Sequence, residues 1–239
     1  MNGGERTALR GLVPGKEQII KMKNDELRPT ILGMKLISNV SDDLLHALKL
    51  GPRQKSLGLV TADMDDVTYT ALDQATKDSD VEVVYAQSMY AGAANASTKL
   101  AGEVIGIIAG PSPSEVRSGL ASIRNFMEHD ACFVSANEDD SIVYYAHTIS
   151  RTGSYLSKLA GIPEGEAIAY LIAPPLEAVY GLDAALKAAD VRMVAFYEPP
   201  SETNFGGGLL TGSQSACKAA CSAFALAVRT VAENPREYD

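Results

Sequence analysis

Three carboxylates stand where an apolar run ends. Ser56 to Ala62 (SLGLVTA) reads as a strand, and Asp63, Asp65 and Asp66 follow it directly. Open sheets bind ligands just beyond the carboxyl ends of their strands. Carboxylates placed there can hold a small ammonium ion, or cap the next helix through its exposed N–H groups. Spacing alone leaves both readings open. Glu103, after Gly102 at the start of a strand, is by itself a strand-end charge. Cys217 and Cys221 lie at i and i+4 of an Ala-rich helix, so their thiols share one face. That arrangement suits a metal or redox pair, and equally suits two small apolar side chains in a helix packing. His46, His129 and His147 are far apart and lack the spacing of a metal site. No G-x-G-x-x-G, H-E-x-x-H, C-x-x-C or G-x-S-x-G occurs, and Gly11 to Lys16 only approximates a phosphate loop. The sequence therefore predicts no catalytic residue, no metal and no cofactor, and a hydrolase finds no nucleophile–base motif to support it.

The elements that position these residues come in two similar sets. Leu72 to Val84 (LDQATKDSDVEVV) is echoed 110 residues later by Leu182 to Val194 (LDAALKAADVRMV), with seven of thirteen positions identical. Each copy reads as the end of an amphipathic helix, an Asp turn and a strand, and a repeat of this kind governs the whole fold. Around the first copy the pattern predicts strands at 31–38, 56–62, 81–88, 103–109 and 132–136, with helices at 42–48, 67–79 and 113–129. Ser41 is the predicted cap of the first helix, and Ser112-Pro113-Ser114-Glu115 has the spacing of a capping box with proline at the first helical position. Around the second copy it predicts strands at 141–149, 167–173, 191–197 and 208–211, and helices at 153–159, 176–189 and 213–232. Alternating strands and helices in two halves indicate an α+β fold of two ferredoxin-like units. The acidic stretch 137–140 is the expected joint, dividing the chain into 22–133 and 134–239. Residues 1–21 have no clear period and read as a disordered leader, or as a mistranslated upstream segment with the true start at Met22.

Composition narrows the function. A formal charge of −9 argues against nucleic acid. No secretory signal and no apolar run of about 20 residues is evident, so no membrane partner is expected. Three cysteines give no disulfide framework and suit a reducing cytoplasm. Two loops at matching places in the repeat, 89–97 and 199–208, each combine an aromatic residue with glycine and small polar residues. Loops of that length are commonly functional or mobile.

Several blocks resemble one family. Ser56-Leu57-Gly58-Leu59, Asp65-Asp66-Val67-Thr68-Tyr69, Tyr90-Ala91-Gly92-Ala93 and Ala101-Gly102-Glu103-Val104 are similar to the first half of the EutL-type shell proteins of ethanolamine-utilization bacterial microcompartments. Ser150-Arg151-Thr152-Gly153-Ser154-Tyr155, Ala173-Pro174-Pro175-Leu176-Glu177 and Leu210 to Cys221 resemble the second half, so the likeness runs from Met22 to about Pro235. It implies two tandem, circularly permuted microcompartment domains and a homotrimer of pseudo-sixfold shape. Such a trimer would tile with other shell proteins in a cytoplasmic microcompartment and carry a gated central pore for metabolites or cofactors. It also implies an ethanolamine site drawing on Asp65, Asp66 and Glu103, with the backbone near Phe133. The two loops then become gate candidates, with Met89, Tyr90, Asn95, Thr203, Asn204 and Phe205 at the pore. The competing reading is a soluble trimeric protein that binds a small molecule as a regulator.

Overall fold

The computed structural model describes residues 25–88, 104–199 and 205–238. Two sheets carry the molecule, and all their pairings are antiparallel. The first holds β2 (Ile31–Ile37), β3 (Ser56–Ala62), β5 (Val104–Gly110) and β4 (Glu82–Ser88), in that order. The second runs β1 (Glu26–Leu27), β6 (Phe133–Ser135), β7 (Val143–Ile149), β8 (Ala167–Ala173), β10 (Gly206–Gly212) and β9 (Val191–Tyr197). Apart from β1 and β6, the second sheet repeats the first. Helices α1 (Asp42–Ala47), α2 (Asp65–Asp78) and α3 (Pro113–His129) alternate with the first four strands as α4 (Ser154–Ala160), α5 (Pro175–Ala188) and α6 (Gln214–Glu233) do with the last four. The central pairs also match: β3 meets β5 without a break from Ser56–Gly110 to Ala62–Val104, and β8 meets β10 from Ala167–Gly212 to Ala173–Gly206.

Most predicted boundaries fall within two residues of those observed, because hydrophobic period and turn chemistry agree there. Three local expectations are corrected. The Asp65–Asp66 pair lies in the first turn of α2 and not in a turn before it, where two carboxylates complement the positive end of the helix dipole. Ser41 occupies the N-cap position of α1 but makes no side-chain cap bond. The capping box at α3 is half made: Ser112 Oγ accepts the Glu115 N–H at 3.3 Å, while the Glu115 carboxylate turns away to accept the Asp80 N–H at 2.9 Å.

One core joins the units. Val60, Leu72 and Ile108 from the first pack with Tyr145, Leu156, Ile168 and Tyr170 from the second. A separate cluster fills the space between α5, α6 and the second sheet, and it contains Cys217 and Cys221. Both cysteines are buried; burial pushes the Cys221 thiol up to about 11, and its sulfur takes a hydrogen bond from Thr148 Oγ1 at 3.2 Å. Small residues let α6 lie close on its neighbours, so the pair does packing work. By length and mean hydropathy α6 does meet the bare requirement for crossing a bilayer, unlike the expectation above. Its Cys217, Ala220, Cys221, Phe224, Ala227 and Val228 face is nonetheless buried within the protein.

The seam between units runs along α2. Asp73 has no exposed surface, and its carboxylate accepts the N–H groups of Gly153 and Leu156, each at 2.8 Å, at the start of α4. Thr76 Oγ1 accepts the Ser154 N–H at 3.1 Å. A side chain thus supplies from the first unit the cap that α4 lacks locally. Only glycine fits at 153, since a Cβ there would stand 2.3 Å from Thr76 Oγ1 and 2.7 Å from the Asp73 carbonyl oxygen.

Candidate functional site

The first turn of α2 faces the end of β4 and the second sheet. Asp65 Oδ1 accepts the Asp66 N–H at 2.9 Å, and its Oδ2 accepts Ser88 Oγ–H at 2.7 Å. Ser88 has one hydroxyl proton, so its 2.6 Å contact with Tyr69 is donated by the tyrosine. Asp66 is 7% exposed, and its Oδ1 accepts the Tyr170 hydroxyl at 2.7 Å. Burial, reinforced by the nearby carboxylates, raises the phenols of Tyr69 and Tyr170, so both remain protonated donors at neutral pH.

These groups border a cavity of about 240 Å³. The first unit contributes Asp65, Asp66, Tyr69 and Ala86 to Ser88, and the second contributes Tyr155, Leu159, Tyr170, Ile172 and Tyr197. Two carboxylates inside a small, partly enclosed space attract a cation, and charge-assisted contacts there are stronger than in water. Tyr69 was within reach of sequence reasoning, because it lies three and four residues beyond the aspartates on one helix face. Ser88, Tyr155, Tyr170 and Tyr197 were not, since each arrives from a different element.

The remaining predicted residues are placed unequally. Phe133 is buried but does not line the cavity; its ring stacks on Tyr145 at 5.4 Å, and Tyr145 in turn meets Tyr170 edge-on at 5.5 Å. Phe205 packs edge-on against Phe133 at 6.0 Å. Glu103, Met89, Tyr90, Asn95, Thr203 and Asn204 lie outside the described residues. Val104, the first residue described after that gap, pairs directly with Ser88 at the edge of the site. Asp63 is used structurally, accepting the Thr30 N–H at 2.6 Å. Among the described residues, no group of three or more His, Cys, Asp and Glu side chains could hold a metal ion.

A larger cavity of about 850 Å³ lies farther along α2, lined by Thr70, Lys77, Phe126, Asp130, His147 and Arg151 among others. Burial pulls the His147 imidazole down to about 4; Lys77 adds to the shift and Asp130 opposes it. The ring lies parallel to Tyr145 at 5.6 Å and edge-on to Phe126 at 5.7 Å. It is therefore a neutral packing residue at physiological pH.

Comparison with known proteins places this geometry. The BMC domain family model matches residues 56–138. The chain is 71% identical over 214 residues to the bacterial microcompartment shell protein EutL of Clostridium perfringens, covering 90% of this chain and 99% of that one. It is 53% identical over 211 residues to EutL of Salmonella typhimurium, covering 88% and 96% respectively. The crystal structure of ethanolamine utilization protein EutL from Leptotrichia buccalis superposes with a TM-score of 0.89 at 67% identity, over 91% of this chain and all of the other. These relatives are shell proteins and not enzymes, which agrees with the lack of catalytic motifs. The chain, two microcompartment units joined along α2, belongs to the EutL family of bacterial microcompartment shell proteins.

Proposed function

We propose that three copies of the chain close into a ring of six units that tiles into the shell. The segments 89–103 and 198–205 would border a gated central pore, and the Asp65–Asp66 cavity would bind ethanolamine. The structural role in the shell follows from family membership; the ring, the pore and the ligand are the proposal.

One observation carries the ring. Helices α2 and α5 have the same length and stand 110 residues apart. On α2, Asp66, Thr70, Asp73 and Lys77 form one face, and all four bond to the second unit, at Tyr170, Tyr145, Gly153 with Leu156, and the Arg151 carbonyl. The same face on α5 is Leu176, Tyr180, Asp183 and Lys187. Leu176 is 61% exposed and Tyr180 54% exposed, and the two charged residues pair only with each other. A face that is occupied inside the chain and bare at its repeat fits the first unit of another copy. Tyr155, Tyr170 and the two carboxylates exist only at the internal seam, so each chain would contribute one cation site.

Sedimentation and calorimetry test the proposal together. The wild type is expected to sediment as a particle of three times the 25.3 kDa chain mass, and Tyr180→Arg to dissociate it. Ethanolamine should bind once per chain, and Asp66→Asn should weaken it without changing the particle mass. A wild-type particle of single-chain mass would overturn the ring. Full affinity in Asp66→Asn would overturn the ligand site. A trimer that stays dispersed at high concentration instead of forming sheets would favour the regulatory reading.

A further inference from the structure

The cavity beside Asp65 and Asp66 is roomier and more aromatic than a primary alkanolamine needs. At about 30 Å³ per water-sized group, ethanolamine would fill roughly half of its 240 Å³. Four tyrosines, Tyr69, Tyr155, Tyr170 and Tyr197, border the remaining space. They form two tilted pairs: Tyr69 with Tyr155 at 6.3 Å and 50°, and Tyr170 with Tyr197 at 6.2 Å and 41°. Neither pair is stacked, so the rings do not cover one another's faces. Two of the four are also anchored. Tyr69 is tied through Ser88 to Asp65, and Tyr170 directly to Asp66. A binding wall held in place by its own hydrogen bonds costs less to order when a ligand arrives.

The carboxylates add a second constraint. Both Asp65 oxygens and Asp66 Oδ1 already accept hydrogen bonds from protein donors. They therefore offer an incoming ligand their charge more than open acceptor positions. A primary ammonium, with three N–H donors, gains least from that arrangement. A methylated ammonium has fewer donors or none, a larger apolar surface and a diffuse charge. Fixed tyrosine faces around negative charge are the recognised environment for such a group.

We propose that this cavity is an aromatic cage for N-methylated alkanolamines, and that it takes choline at least as tightly as ethanolamine. The inference rests on the cation-site reading of Asp65 and Asp66 given above, but not on ethanolamine being the ligand. Tyr155 is the informative position, because it borders the cavity without taking part in the bonds that hold either carboxylate.

Calorimetry on the assembled full chain would compare ethanolamine, N,N-dimethylethanolamine and choline. Affinity is expected to hold or rise along the series. Tyr155→Leu removes one ring, and the ratio of choline to ethanolamine affinity should fall roughly fivefold; Tyr155→Phe, which keeps the ring, should restore it. Choline binding tenfold more weakly than ethanolamine in the wild type would overturn the cage while leaving the ethanolamine site standing. An unchanged ratio in a folded Tyr155→Leu trimer would also overturn it. Choline binding without ethanolamine binding would uphold the cage and overturn ethanolamine as the ligand, and binding of neither would overturn both.

Discussion

Replacing Asp73 with alanine should loosen the seam between the two units more than any other single polar change there. The carboxylate is fully buried, accepts two main-chain N–H groups at 2.8 Å and has Lys77 Nζ 3.5 Å away. Hydrogen bonds to a charged acceptor contribute about 1.5–3 kcal/mol each, and removing one side of a buried, paired charge costs about 3–5 kcal/mol. The lower figure already equals a large fraction of the 5–15 kcal/mol that holds a typical protein folded. For a chain of this length it corresponds to a fall in melting temperature of roughly 10 °C. Urea titration would give the stability loss, and amide hydrogen exchange would locate it. The Gly153 and Leu156 amides should exchange much faster in Asp73→Ala, while amides in β8 and β10 stay protected. If the urea midpoint and the exchange at 153–156 are both unchanged, the carboxylate is not what caps α4, and the account of the seam fails.

Two further outcomes follow from buried groups. Between about pH 4 and 6.5 the unfolded chain binds a proton at His147 that the folded chain refuses. Stability should therefore fall as pH drops through that window, by up to about 3 kcal/mol. His147→Phe should flatten this part of a urea-midpoint profile, and a profile identical to the wild type would count against a neutral buried imidazole. Cys217 and Cys221 are buried with raised thiols, whereas Cys132 is half-buried. A thiol reagent should therefore modify Cys132 first and reach the other two only after unfolding, as peptide mass mapping would show.

Much of the architecture was legible because each element carried its own local signal. Proline at the start of α3 and the apolar alternation of β3 give boundaries that the fold keeps. Strand β1 was not legible: Glu26 and Leu27 are too few to show a period, and only their pairing with Val134 and Phe133 makes them a strand. The repeated Leu-Asp-x-Ala-x-Lys pattern was visible yet misleading in one respect. Asp73 and Asp183 look equivalent in it, but one is a buried cap and the other is exposed beside Lys187. Their difference depends on what lies opposite, which no local pattern contains. The acidic pair was found from its position after a strand, whereas the tyrosines were not. In a strand such as AIAYLIA, Tyr170 reads as one more apolar core residue.

Gly153 shows what duplication made possible. In a ring of identical single units every junction must use the same residues, so a change that improves one contact is imposed on all of them. A chain with two units removes that tie. At the inner junction, glycine lets the chain approach within contact of Asp73 and Thr76, while the corresponding cap position of α1 is held by Ser41, which carries a Cβ. One junction can therefore become a permanent weld with a polar chamber beside it. The other can keep the apolar character suited to assembly after folding. Fusing the units divides labour between joints that symmetry would otherwise have kept alike.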